Sequence, residues 1–403
     1  MEHNRRWWLR AAALAGVAGV VGTSLTAPAA AAHEPSVLPG TAEWAEFTTH
    51  EEMLAAVQLP AGQAAAMSTD QLVTAVLDYP MFWDALAHDK VQAGVERVAE
   101  GFNGLSELLR RPDAGTVLAR RYEAFDVAVP PVADLAAAGE HTFTAWKLEL
   151  VLAQPSVLTG MSAGQRESLL RVATAKSDAK RTQPEFYGEP GLEPTGVLLG
   201  RTLAAQEGWE WRDSEFLRDG LAVSPDVVED IRRKVAAHFA EPSGRHPAGD
   251  FSTDDYYSNV RTPRGSAVRV MVVTVELSRA DIAAINAYVA RTYPRAKRET
   301  NATRKYNCHS YAWHSQATTN NLWMSSPGDD TYWNDGSFTA WSKPRPWYDT
   351  MRVSWKSDDH SGINVGDGKT QVRSKWGQFP RMLHAPTYTP YDDSSRYPYY
   401  KSS

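Results

Sequence analysis

Apolar positions recur at helical spacing along most of the first 240 residues. In "MSTDQLVTAVLDYP", Leu72, Ala75, Val76 and Tyr79 follow one another at steps of three and four, which puts them on one helix face. Three Ser/Thr-x-x-Glu/Gln signatures mark helix starts: Thr49 with Glu52, Ser68 with Gln71, and Ser162 with Gln165. "HTFTAWKLELVLAQP" is apolar enough to predict a well-buried helix. "GFNGLSELLRRPDAG" predicts a helix stopped near Pro112, and Ser224 followed by Pro225 predicts the cap and first turn of another. Helices with short connections predict an all-α bundle or curved array, and no fixed period marks a solenoid.

The pattern changes after "EPSGRHPAGDF" at 241–251, a Pro- and Gly-rich stretch that predicts a domain boundary. Beyond it, "DYYSNVRTPRGSAVRVMVVTVEL" predicts two strands joined by a turn at Thr262–Gly265. Ser278 and Asp281 cap a helix that Pro294 helps end. "MRVSW" and "HSGINV" read as paired strands joined by the polar "KSDD", and "TQVRSKW" as a third. The expected fold class is α followed by α+β: an all-α domain over 33–245, then an α+β domain over 246–403 with a small antiparallel sheet. Seven of 14 Trp and nine of 16 Tyr lie past residue 300. They either fill a small core or line a cleft of Trp323, Trp333, Trp341 and Trp347 suited to a glycan or peptide.

The first residues read as a leader rather than as part of the fold. "MEHNRRWWLR" is a positive n-region, "AAALAGVAGVVG" an apolar segment too short to span a bilayer, and Ala30 and Ala32 place cleavage before His33. Arg5-Arg6 with the aromatic, Leu and Arg that follow resembles a twin-arginine export signal, so residues 1–32 are expected to direct secretion. An ordinary secretory signal carrying two Arg is the other reading. No later stretch predicts a membrane helix, so no stable membrane insertion is expected once the leader is removed. A net charge of −6 without a basic stripe argues against nucleic acid as a partner. One cysteine, Cys308, excludes an internal disulfide and leaves an unpaired thiol that is either buried or used.

That thiol lies in "RKYNCHSYAWHS". The residues before it are polar, and those after it predict a helix with Cys308 in its first turn, where free N–H groups stabilise a thiolate and an oxyanion. A nucleophile needs a base, and His360 opens the second of the paired strands, on one side with Gly362 and Asn364. A Cys at the head of a helix, a His at the start of a strand and a further strand resemble the papain-like bacterial amidases of the NlpC and CHAP type, over roughly residues 300–385. The resemblance rests on "YNCHSYAW", "DHSGINV" and "VRSKWG".

It implies a secreted cysteine hydrolase acting on amide bonds, often in peptidoglycan peptides, with Cys308 as nucleophile and His360 as base. The third catalytic position departs from the family, which places His, Asn, Gln or Glu there; this chain has Ser374 and Lys375. Ser374 is the expected orienting group, because a charged Lys cannot accept a bond from the ring, and Asn364 and His384 are the alternatives. Tyr306 and Asn307 are expected to help the first-turn N–H of Cys308 hold the oxyanion.

No cofactor is expected. A metal site of Cys308, His309, His314 and His360 is argued against by helix geometry, since neighbours are about 100° apart around the axis, and by the absence of Cys-x-x-Cys or His-Glu-x-x-His spacing. The adjacent His309 is expected to be incidental. The competing function is a non-catalytic secreted binding or interaction protein with a decayed papain-like site and an aromatic groove. A buried structural thiol is the other reading of Cys308 itself.

Overall fold

The computed structural model describes residues 37–131, 134–221, 225–240, 256–342, 347–356, 360–366, 371–391 and 396–402. The expected leader, the Ser224 cap and the 241–251 stretch lie outside them. The principal helices of the first part are α1 (His50–Ala56), α2 (Thr69–Leu77), α3 (Val91–Gly101), α4 (Ala114–Ala124), α5 (Leu135–Leu152), α6 (Ala163–Arg181), α7 (Glu193–Glu207) and α8 (Pro225–Ala240). All three Ser/Thr-x-x-Glu/Gln signatures form reciprocal caps, opening α1, α2 and α6. Among the described residues no helix is long and apolar enough to cross a membrane.

The buried helix α5 carries charge as well as apolar side chains. Glu149 on α5 accepts two bonds from Lys180 Nζ on α6, both 2.7 Å, one from Tyr122 Oη at 2.7 Å and one from Thr195 Oγ1 at 2.8 Å. All four groups are buried, so this network ties α4, α5, α6 and α7 together where water cannot replace a lost partner.

After residue 255 the chain forms β1 (Tyr257–Arg261) and β2 (Ala267–Val272), antiparallel with Arg261 opposite Ala267, as the Thr262–Gly265 turn requires. Helix α9 (Arg279–Thr292) follows, capped by Ser278 as expected. The remaining strands are β3 (Lys297–Arg298), β4 (Leu322–Trp323), β5 (Phe338–Ala340), β6 (Arg352–Trp355), β7 (Ser361–Val365), β8 (Gln371–Lys375), β9 (Arg381–His384) and β10 (Arg396–Lys401). They form a three-stranded sheet, β1-β2-β4, and a seven-stranded antiparallel sheet, β3-β9-β8-β7-β6-β10-β5. The α and α+β character expected from the sequence is therefore present.

One apolar core runs from Trp44 to Tyr391 and takes side chains from both sides of the 241–255 stretch. Helix α9 packs directly on α5 at Gly139, where a Cβ would lie 2.3 Å from the Ala280 carbonyl oxygen. Asp84, just before α3, accepts from Tyr288 Oη and Tyr293 Oη, both at 2.8 Å. The segment leading out of Asp84 is fastened to the large sheet as well. Gln378 N donates to Leu86 O at 2.9 Å, and Tyr391 Oη donates to Ala87 O at 2.6 Å. Gly377 has φ +48°, and a Cβ there would lie 2.3 Å from Ala87 O, so only glycine allows this approach. These fastenings carry residues 86–90 across the first turn that holds Cys308.

Candidate functional site

Cys308 begins a short helical segment that continues as a π-helical turn over Ser310–His314. Asn307 fixes its start. Its Oδ1 accepts from Ser310 N at 3.1 Å and Met324 N at 3.2 Å, and its Nδ2 donates to Met324 O and Asp89 Oδ1, both at 2.6 Å. Asp89 is also anchored through its own carbonyl, which accepts from Trp323 Nε1 at 3.2 Å. Its carboxylate Oδ1 lies 3.8 Å from Cys308 Sγ. The thiol is fully buried. Burial pushes its pKa up and Asp89 adds to this, while the His309 charge and the backbone N–H of Ser361 pull it down.

His309 is part of this site rather than incidental. Its Nε2 lies 3.1 Å from Asp89 Oδ2, and its Nδ1 lies 2.8 Å from Asp329 Oδ2 and 2.9 Å from Ser361 Oγ. Trp313 Nε1 donates to the same Ser361 Oγ at 2.9 Å. Burial alone would lower the His309 pKa, but Asp329, the Cys308 sulfur and Asp89 raise it well above the ordinary imidazole value. The ring is thus an imidazolium held between two carboxylates. Cys308 and His309 point apart around the helix axis, but Asp89, arriving from residues 86–90, reaches both.

His360 precedes β7, as expected, and β7 pairs with β6 and β8. Its ring is fully buried, stacked on Tyr391 at 3.6 Å between centroids, with Trp355 edge-on at 4.5 Å. Among the described residues neither ring nitrogen has a hydrogen-bond partner, so the ring is bonded neither to Cys308 nor to Ser374. Burial drives its pKa well below the ordinary value, helped by the charges of His384, His309 and His88. Ser374 serves a different histidine: its Oγ is 2.7 Å from His384 Nε2 and accepts from Trp376 Nε1 at 2.9 Å. Lys375 Nζ donates to Thr303 O at 2.8 Å and Phe379 O at 2.6 Å, and also to Gly377 O. Tyr306 is buried with its ring 5.2 Å from Lys375 Nζ. Asn364 is committed to backbone carbonyls, with Nδ2 donating to Tyr348 O at 2.8 Å and Gly366 O at 3.0 Å.

The structure therefore brings Cys308 and Asn307 together and adds Asp89, His309 and Asp329, which sequence reasoning missed. A Cys-His dipeptide was the available signal for His309; nothing local signals Asp89 or Asp329.

Of the four tryptophans expected to line a cleft, only Trp341 does so. An open cleft of about 650 Å³ is lined by Tyr311, Phe338, Trp341, Tyr348 and Tyr400 with Arg352, Arg373, Arg381 and Lys401. Trp323 and Trp347 are instead buried, and Trp333 stacks on Tyr399 at 5.0 Å.

The buried histidines make stability depend on pH. Burial pushes His384 down to about 4, and His360 is depressed too. Both are neutral in the fold, and an unfolded imidazole protonates near pH 6.5. The His384 contribution is complete above about pH 6.5 and is lost as pH falls toward about 4, and His360 acts in the same direction. His309 runs the other way: its raised pKa contributes below about pH 6.5 and fades only as pH rises through its folded value. The melting temperature is expected to fall between about pH 6.5 and 4, less steeply in His384→Gln. An equal slope in wild type and variant overturns the assignment.

No family model, curated protein or solved structure matches this chain.

Proposed function

We propose that this chain is a secreted cysteine hydrolase of papain-like type that cleaves amide bonds in a cell-wall or other extracellular peptide. The observation that carries the reading is the carboxylate beside the thiol. Asp89 Oδ1 lies 3.8 Å from Cys308 Sγ and accepts from Asn307 Nδ2 at 2.6 Å. An anionic oxygen next to the sulfur, held by a fixed side-chain amide, occupies the kind of place an oxyanion takes during acyl transfer. With residues 86–90 displaced, Asn307 Nδ2 is released to a substrate carbonyl oxygen.

The two histidines then divide the work. His309, already protonated, cannot accept the thiol proton, but its charge stabilises the thiolate. His360 is neutral, with both nitrogens unbonded among the described residues, and it precedes Ser361, whose N–H faces the sulfur. Once residues 86–90 are displaced and its ring comes within hydrogen-bond reach of Sγ, it takes the thiol proton as the sulfur attacks the amide carbon, returns that proton to the leaving amine, and water then releases the acyl group from sulfur.

The test is release of amines from peptidoglycan stem peptides. Cys308→Ala should abolish turnover, and His360→Ala should reduce kcat by about a hundredfold or more. Turnover that survives Cys308→Ala overturns the proposal. The second reading, a non-catalytic binding protein, is favoured by the full burial of Cys308 and by the open cleft containing Trp341. It requires that the same peptides quench tryptophan fluorescence in wild type, not in Trp341→Ala, with no amine released by either.

A further inference from the structure

Asp89, Cys308 and His309 each present one ligand atom, and these atoms all lie within 4.8 Å of one another. We propose that they form a binding site for a divalent transition metal, Zn²⁺ being the best fit. A tetrahedral zinc with Zn–S near 2.3 Å and Zn–N and Zn–O near 2.0–2.2 Å separates its ligands by about 3.4–3.6 Å. Here Asp89 Oδ2 and His309 Nε2 are 3.1 Å apart, and Asp89 Oδ1 is 3.8 Å from Cys308 Sγ. These two separations involve different carboxylate oxygens and the ligand atoms span up to 4.8 Å, so adjustments of up to about an ångström bring them to three corners of a tetrahedron.

A second observation is independent of that spacing. His309 is fully buried, and its Nε2 and Asp89 Oδ2 face each other at 3.1 Å, yet among the described residues neither atom makes a well-aligned hydrogen bond. Buried polar atoms left in this state cost stability unless something else satisfies them. The opposite nitrogen is well served: Nδ1 faces Asp329 Oδ2 at 2.8 Å. A carboxylate on the far nitrogen of a ligating histidine fixes the tautomer that directs Nε2 to the metal. The Cys-His-Asp set combines thiolate, imidazole and carboxylate, all zinc ligands, and leaves a fourth position for water.

Metal entry displaces the thiol proton and the Nε2 proton, so affinity rises with pH. It also holds the sulfur and the 86–90 segment together, so a metal-loaded chain has no free nucleophile. The site does not depend on the hydrolase reading, because it is measured without substrate. The full chain, freed of metal with a chelator, is titrated with Co²⁺ and then Zn²⁺. The expected result is one Co²⁺ per chain, with sulfur-to-cobalt charge transfer in the near ultraviolet and strong visible bands, both removed by Zn²⁺. Cys308→Ser, nearly isosteric, should remove the charge-transfer band while circular dichroism is unchanged. Asp329→Asn should weaken Zn²⁺ by about tenfold to a hundredfold. Absence of the band, or equal Zn²⁺ affinity in wild type and Cys308→Ser, overturns the site.

Discussion

Glu149→Ala is expected to cost about 3–5 kcal/mol of folding stability, the usual penalty for removing one partner of a buried ion pair. The size follows from what remains. Lys180 Nζ loses both of its 2.7 Å bonds to the carboxylate and keeps Thr195 Oγ1 at 3.0 Å and Gly191 O at 3.3 Å, neither of them charged. Tyr122 Oη and Thr195 Oγ1 lose their acceptor as well. Burial already lowers the Lys180 pKa, and Glu149 is the largest influence opposing that. With the carboxylate gone, the lysine must sit neutral in the core or unfold part of α6 to reach water. A typical domain is stable by about 5–15 kcal/mol, so the loss is a large fraction of the whole. Denaturant titration should show the midpoint moving strongly in Glu149→Ala. It should recover in part in Glu149→Leu with Lys180→Met, since apolar replacement of both members removes the stranded charge. A single-variant loss below about 1 kcal/mol, the scale of an exposed pair, would mean that the network is not a structural tie.

What the sequence makes legible is what local physics decides. Thr49, Ser68 and Ser162 cap helices because each cap closes within three residues. Strands β6, β7 and β8 are legible because alternation and turn residues act over a few positions. Their register puts His360 where it was expected, but the partner its ring chooses is not encoded there. Tyr391 arrives after β9 and offers a face to stack on, and Ser374 turns to His384 instead. The two-residue strands β3 and β4 are too short for any period to show. Asp89 is separated from Cys308 by 219 residues, and its approach depends on Gln378, Tyr391 and Gly377 fastening residues 86–87 to the sheet. Such contacts leave no trace in periodicity. The tryptophans show the same limit: their number past residue 300 signals a large apolar payload, not which rings face the cleft.

Asp89→Ala is expected to accelerate alkylation of Cys308 by iodoacetamide at pH 7 by about tenfold or more. Two effects act in the same direction. Asp89 raises the thiol pKa, and each unit removed gives ten times more thiolate below that pKa. The side chain also stands over the sulfur, with Oδ1 at 3.8 Å, so its loss opens a path to a thiol that is otherwise fully buried. Asp89→Asn separates the two: it removes the charge and keeps the cover, because the new amide oxygen still accepts from Asn307 Nδ2. The expected order of rates is Ala above Asn above wild type, measured with chelator present so that no metal protects the sulfur. His309 should then carry the pH dependence of the Ala variant. With Asp329 still 2.8 Å from Nδ1, the ring stays protonated and its charge continues to favour the thiolate. Reaction in Asp89→Ala should therefore persist below the pH at which an isolated thiol stops reacting, and His309→Gln in the same background should abolish that persistence. Identical slow rates in all three chains, with full reaction after denaturation, would show that Cys308 is buried by other segments. In that case displacement of Asp89 cannot be the step that exposes the nucleophile.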